Sequence, residues 1–174
     1  MSTAKTQKTL EALGVNKKLA ATMSKAEAKR GTPYLARDVF LREMWGTVIS
    51  AEDESDGLPT WIEEWLRPFR QRKAKPKGLA AALDRALSSG VSPQDLTAIV
   101  REMQADALYN LCFALDGDKS TSEGIVDHDI DVDWGLYTRD EAGAPQRRLQ
   151  DLHESFHSYD PEGKDARNYY PTRK

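Results

Sequence analysis

Apolar residues recur every three or four positions from Pro33 to Leu115, and every second position from Val126 to Leu136. The first spacing belongs to amphipathic helices, the second to a strand with one buried face. Local signals divide the helical part. Thr3 to Leu13 predicts a short helix ended by Gly14, and Asn16 or Lys17 to Arg30 a second one closed by Gly31. Thr32 and Pro33 open a third, with Leu35, Val39, Phe40, Leu41, Met44, Trp45, Val48 and Ile49 as its wide apolar face. An acidic stretch, A-E-D-E-S-D-G, breaks it. After Asp56 and Pro59, Trp61, Ile62, Trp65, Leu66 and Phe69 form a strongly one-sided fourth helix, and both tryptophans are expected in its core. Leu79, Leu83, Ala86 and Leu87 make a fifth, closed by Gly90.

The longest periodic run begins at Ser92-Pro93, with Ser92 as N-cap and Asp95 where a capping box places an acid. It reaches about Leu115 and stops at Gly117. Its apolar positions, Leu96, Ile99, Val100, Met103, Ala107 and Leu111, with Leu108, Cys112 and Leu115 alongside, predict the centre of the core. Beyond the loop G-D-K-S-T-S-E-G, Val126, His128, Ile130, Val132, Trp134 and Leu136 alternate with Asp127, Asp129, Asp131 and Asp133. W-G-L-Y-T-R-D, E-A-G-A-P and Q-R-R-L-Q read as a hairpin, and Asp151 as the cap of a short helix ended by Pro161 and Gly163. The expected fold is mainly α, in the α+β sense. It is a bundle of four to five helices with a small C-terminal hairpin and short helix. The expected organisation is a helical arm over 1–31, a helical core over 32–116, hairpin and short helix over 117–160, and an irregular tail over 161–174. No internal repeat is present.

Length and charge limit the function classes. The 174 residues are 39% hydrophobic and 30% charged, enough for one core under a polar surface. A net charge of −3 gives no bulk field toward nucleic acid or membrane. The charge is uneven, however. Residues 1–77 hold 15 Lys and Arg against 10 Asp and Glu (+5), and residues 78–174 hold 10 against 18 (−8). The single cysteine, Cys112, rules out a disulfide framework and fits a reducing cytoplasm, as does the lack of an apolar leader or a membrane-length apolar run. Cys112 itself reads as a small core residue.

One short motif carries chemistry. His153-Glu154-Ser155-Phe156-His157 is an H-E-x-x-H sequence. On a helix it puts two imidazoles on one face beside a carboxylate, the pattern by which zinc hydrolases bind metal and activate water. A catalytic zinc needs a third ligand. The extension that supplies one in many such enzymes is missing, because Asp160 and Gly163 stand at its two key positions. Only 17 residues follow His157, and the one remaining histidine is His128. Leu152 and Phe156 already give the segment a packing role. No cofactor is therefore expected, with zinc on His153, His157 and His128 and Glu154 as base kept as the alternative. D-G-D-K-S-T-S-E resembles a calcium loop only faintly, since Thr121 and Asp127 occupy the places where glycine and glutamate are required.

Two charge clusters bear on partners. Asp127, Asp129, Asp131 and Asp133 share one face of the predicted strand and need water, metal or a basic partner. They read as an aggregation-resistant edge or as a docking surface for a basic protein. Arg67, Arg70, Arg72, Lys73, Lys75 and Lys77 crowd into eleven residues with two prolines. They make a solvated connector, with phosphate binding as the sharper alternative.

The runs V-R-E-M-Q-A-D-A-L-Y-N-L-C-F-A-L-D, W-G-L-Y-T-R-D-E-A-G-A-P and L-H-E-S-F-H-S-Y-D-P-E-G resemble those of small bacterial cytoplasmic proteins. These have a helical body and a tail centred on L-H-E-S and D-P-x-G. The resemblance spans about residues 33 to 165. It implies no activity and carries over no functional residue, and its tail does not require the second histidine. The functional expectation is a non-enzymatic protein-binding module of a bacterial cytoplasm, of the immunity, antitoxin or regulatory-adaptor kind. Its partner would present a basic surface. A minimal zinc hydrolase and a nucleic-acid binder using residues 67 to 77 are the alternatives.

Overall fold

The computed structural model describes residues 2–50, 54–55, 57–117 and 135–163. Among them the fold is mainly α with a small C-terminal β-hairpin. The helices are α1 (Thr3–Ala12), α2 (Lys17–Arg30), α3 (Tyr34–Trp45), α4 (Thr60–Gln71), α5 (Gly78–Ser88), α6 (Pro93–Asp116) and α7 (Leu152–Phe156). The strands are β1 (Glu54–Ser55) and β2 (Leu58–Pro59), which pair antiparallel, and β3 (Tyr137–Arg139) and β4 (Pro145–Arg148), which form the hairpin. The strand expected from Val126 lies outside the described residues. No described helix is long and apolar enough to cross a membrane.

Cap chemistry sets several helix ends. The Ser2 hydroxyl accepts the Lys5 N–H, and the Asn16 side chain accepts the Leu19 N–H at 2.9 Å. Ser92 Oγ accepts the Asp95 N–H at 3.2 Å. Each satisfies a first-turn donor that has no intrahelical partner. Gly31 closes α2 at φ 78°, a left-handed conformation that costs glycine nothing. The hairpin turn is held by Asp140, whose carboxylate accepts the N–H groups of Ala142 and Ala144. The hairpin register shifts between Tyr137 and Arg139, a bulge-type irregularity.

The chain divides into two compact units, Met1–Trp45 with Leu108–Lys174, and Gly46–Ala107. In the first, Leu10, Ala20 and Met23 form a buried cluster against Val15, Tyr34 and Leu35. A second buried set, Leu41, Trp45, Leu149, Leu152 and Phe156, joins α3 to the C-terminal segment. Trp45 stacks on Phe156 with centroids 4.7 Å apart, and its indole N–H donates to the Phe156 carbonyl at 2.7 Å. Arg37 pairs with Asp151 at 3.1 Å.

In the second unit, Ile62, Leu66, Ala80 and Leu83 form the core, with Leu58, Trp61, Phe69, Leu87 and Leu96 packed around it. The Trp61 indole N–H donates to Thr97 Oγ1 at 3.0 Å. Gln104 accepts the Ile49 N–H and Arg101 donates to the Ile49 carbonyl, so α6 holds both backbone groups of one residue in the segment after α3.

The face of α6 that packs inward differs from the one its hydrophobicity predicts. The buried positions are Thr97, Arg101, Ala105 and Cys112. Ile99, Met103 and Leu111, expected in the core, are 56%, 68% and 45% exposed. Thr97 and Arg101 are polar, but their hydrogen bonds are made inside the fold, which removes the cost of burying them. Trp65 also departs from expectation and is 50% exposed.

Candidate functional site

The H-E-S-F-H segment sits where α7 meets the C-terminal end of α6. Asp151 does not cap α7 with its side chain, because it adopts a left-handed backbone (φ 57°) and its carboxylate engages Arg37. The capping role falls to Asp116, the last residue of α6. One oxygen of Asp116, Oδ2, accepts the His153 backbone N–H at 2.9 Å and lies 2.6 Å from His153 Nδ1. With Oδ2 already accepting the backbone N–H, His153 Nδ1 is placed to share the same oxygen, and Nε2 is the other ring nitrogen. Gly117 follows Asp116 with a left-handed backbone, φ 72°.

Aromatic contacts fix both imidazoles. His157 stacks on Tyr109 at 5.1 Å, and His153 meets Phe113 edge-on at 5.0 Å and Tyr109 at 6.1 Å. Phe156 between them is fully buried, and Glu154 is exposed. Tyr159, in the 3-10 turn after α7, donates its hydroxyl to the buried Asp38, whose carboxylate also pairs with Arg42 at 2.8 Å. Burial and then the Asp38 charge push the Tyr159 phenol up to about 12. Trp45, Asp38 and Arg37 therefore clamp the D-L-H-E-S-F-H-S-Y run onto α3 along its length. Packing accounts for most of the motif.

The described part supplies two imidazoles and a carboxylate near each other. Among the described residues no group of three or more His, Cys, Asp or Glu is placed to hold a metal ion. His128, the expected third ligand, lies outside them. The His153–Asp116 pair has the form of the carboxylate that orients a metal-bound imidazole, but the same geometry is here the cap of α7. Asp116 Oδ1 and His157 Nδ1 are buried with no hydrogen-bond partner among the described residues. Cys112, one turn before Asp116, is fully buried. Burial and then the Asp116 charge push its thiol up to about 12, so it holds no thiolate at neutral pH.

The other sequence-selected residues fall elsewhere. Asp127, Asp129, Asp131 and Asp133, and most of the calcium-like loop, lie outside the described residues. Arg67 and Arg70 belong to α4, which continues to Gln71; Arg72 is its C-cap. Lys73, Lys75 and Lys77 occupy the connector to α5, and all six cations are exposed. Arg70 pairs with Glu63. Cations at this position offset the partial negative charge of a helix C-terminus, which gives the cluster a local reason. Trp65 is an exposed aromatic on the same helix that sequence reasoning placed in the core.

Two surfaces were missed from sequence. A groove of about 810 Å³ lies between α3 and the hairpin, with Leu35, Val39 and Phe40 on one side and Arg139 and Arg147 on the other. Its buttressing polar groups are already used. Glu27 accepts the Leu35 N–H and approaches Arg147 at 3.9 Å, and Asp140 serves its own turn. The second surface is the outward face of α6. Ile99, Met103, Ala107 and Leu111 are exposed along it, and Asp95, Glu102 and Asp106 are exposed beside them. Arg101 is the only basic residue of α6, and it is buried. The exposed face thus joins an apolar ridge to an acidic edge. The apolar spacing was visible in sequence; its exposure was not. No protein-family model, curated protein or solved structure matches the chain.

Proposed function

We propose that this chain is a non-enzymatic protein-binding module that recognises a protein with a basic surface. The observation that carries this reading is the outward face of α6. Large apolar side chains exposed together on a regular helix mark an interaction surface more often than isolated exposed ones do. The acids beside them select a partner of opposite charge and speed encounter with it. On sequence grounds Asp127, Asp129, Asp131 and Asp133 add charge of the same sign. The chemistry near α7 supports the reading from the other side, since Cys112 is buried as a thiol and Glu154 is exposed while both imidazoles are engaged in packing. Such modules include immunity proteins, antitoxins and regulatory adaptors of the bacterial cytoplasm, and the chain is assigned to this group.

The test is affinity capture with the wild-type chain and with an Ile99→Arg/Met103→Arg variant. The expected result is a protein of basic surface retained by the wild type, released by raised salt, and lost from the variant. A partner retained equally by both, or none retained by either, overturns the proposal.

A further inference from the structure

We infer that the C-terminal end of α4 and the connector to α5 bind single-stranded nucleic acid. Trp65 is the stacking platform for a base, and Arg67, Arg72, Lys73, Lys75 and Lys77 contact phosphates. This activity goes beyond the protein-binding reading and does not depend on it. Every residue involved belongs to one compact unit, Gly46–Ala107. Ile62 and Leu66 carry the buried face of α4, and Trp65 stands at its rim, about 60° from Ile62 and 50% exposed. Arg72, two turns on, lies within about 20° of Trp65 around the helix axis and about 10 Å along it. Arg67, Arg72, Lys73, Lys75 and Lys77 are all exposed, and their side chains have no ion-pair or hydrogen-bond partner among the described residues. Arg70, the sixth cation of the run, is taken by Glu63.

Local structure does not account for these charges. The carboxyl end of a helix carries about half a negative charge, which one cation offsets. Two of the lysines also occupy positions that the backbone disfavours. Helix α4 closes in a Schellman turn, where the Ala74 N–H donates to the Phe69 carbonyl at 2.9 Å and the Lys73 N–H to the Arg70 carbonyl at 3.1 Å. Glycine is the usual residue at the left-handed position of that turn, and Lys73 holds it at φ 48°. Asp151 is the other non-glycine residue with positive φ among the described ones, and its side chain is engaged by Arg37. Lys77 stands at the N-cap of α5 and makes no side-chain cap. An ammonium group cannot accept the first-turn N–H groups, and it lies at the positive end of the helix dipole. Residues kept where they cost stability mark a place where the side chain serves binding. A polyanion supplies the counter-charge that the fold does not. A polyanion without aromatic faces leaves Trp65 unused, whereas every base offers a face to stack on the indole. A duplex keeps its bases stacked on one another, and these cations lie at a helix end and a connector, not along a helix that enters a groove. A lipid surface needs apolar area to insert, and the apolar face of α4 is spent on the core.

The probes are fluorescein-labelled single-stranded RNA and DNA of one mixed sequence, about twelve nucleotides long, beside the corresponding duplex. Poly-glutamate and phosphatidylserine vesicles are the other polyanions. Binding to the full chain is followed by fluorescence anisotropy, and by co-sedimentation for the vesicles. At least one single strand is expected to bind with a dissociation constant on the order of ten micromolar at low salt. Contact with three to five phosphates gives a slope of log affinity against log salt of about −2 to −3.5. Trp65→Ala is expected to weaken binding about five- to a hundredfold, the loss of one stacked base. Trp65→Phe keeps an aromatic face and most of the affinity, and loses the quenching of tryptophan emission that the wild type shows on binding. Lys73→Gly/Lys77→Ser gives the turn its glycine and α5 an N-cap, so its melting temperature is expected to be at least that of the wild type. It should nonetheless bind at least about fivefold more weakly, with a slope shallower by about 1.4. A variant that is more stable and binds less well has not lost binding by unfolding.

Failure of both single strands to bind at low salt overturns the inference. So does a lysine double variant or a Trp65→Ala variant that binds as the wild type does, with circular dichroism confirming that each is folded. A duplex bound as tightly as the single strand overturns it as well. If vesicles or poly-glutamate bind with the same dependence on Trp65 and Lys73, the surface belongs to that polyanion and the nucleic-acid assignment falls.

Discussion

Removing the Asp116 carboxylate tests whether the H-E-S-F-H segment is a packed and capped structural element. In the wild type, Asp116 Oδ2 accepts the His153 N–H at 2.9 Å and approaches His153 Nδ1 at 2.6 Å, and the Asp116 side chain is 8% exposed. Asp116→Ala leaves a first-turn N–H of α7 without its acceptor, which costs about 1–3 kcal/mol when the donor stays dry. The ring nitrogen loses a charge-assisted bond but reaches solvent more readily, since the His153 side chain is 21% exposed. That loss is about 0.5–1.5 kcal/mol. The total expected is about 2–4 kcal/mol. Asp116→Asn keeps an amide oxygen for the backbone donor and loses the charge, so about 1–2 kcal/mol is expected. The assay is urea denaturation followed by circular dichroism and by tryptophan fluorescence. Trp45 stacks on Phe156 and reports the α7 region directly. Where the transition is two-state, a shifted midpoint with an unchanged slope reads as a stability change. The losses should be the same with and without a chelator, and elemental analysis of protein purified without a His-tag fixes the metal content beside them. A loss for the alanine variant below about 0.5 kcal/mol would refute the capping role. A loss that vanishes on chelation would transfer the role to a metal.

The remaining predictions concern the core, the backbone and pH. Met103→Ser should change stability by no more than about 0.5 kcal/mol, because Met103 is 68% exposed, whereas Leu66→Ala should cost about 2–5 kcal/mol; thermal melts of the two variants set the exposed residue of α6 against a buried residue of α4. Phe156→Ala should cost about 3–5 kcal/mol, since the ring is fully buried against Trp45, and chemical denaturation measures it. Lys73 holds a left-handed backbone at φ 48°, so Lys73→Gly should stabilise by about 0.5–1 kcal/mol in the same assay, and a loss would show that the connector is not strained. Tyr159 and Cys112 both have folded-state pKa values raised to about 12 from ordinary values of 10.0 and 9.0. The folded state therefore keeps protons that the unfolded chain releases, and stability should fall as pH rises from about 9 to about 12. Tyr159→Phe should flatten the upper part of that decline in a pH series of melts.

Much of the local architecture was decided within a few residues of sequence. Asn16 and Ser92 each satisfy a donor three residues on, so they start α2 and α6 wherever the rest of the chain lies. Gly31, Gly117 and Gly143 reach left-handed backbone without a Cβ penalty, so the helix ends and the hairpin turn follow from their positions. The mainly helical character, the hairpin near residue 140 and the short helix holding Leu152 and Phe156 were therefore predictable. Tertiary structure decided which faces those elements bury. Helix α6 has apolar residues around most of its circumference, so its pattern alone did not select a side. Burial of Thr97 and Arg101 became favourable only once Trp61 and Ile49 supplied hydrogen-bond partners from 36 and 52 residues away. That choice left Ile99, Met103 and Leu111 outward. The same holds for H-E-S-F-H. Spacing placed two imidazoles one turn apart, but Asp116 and Tyr109, on a different helix, gave them their partners. Caps and turns are satisfied locally and can be read from a short window of residues. Faces and sites depend on partners brought together by packing.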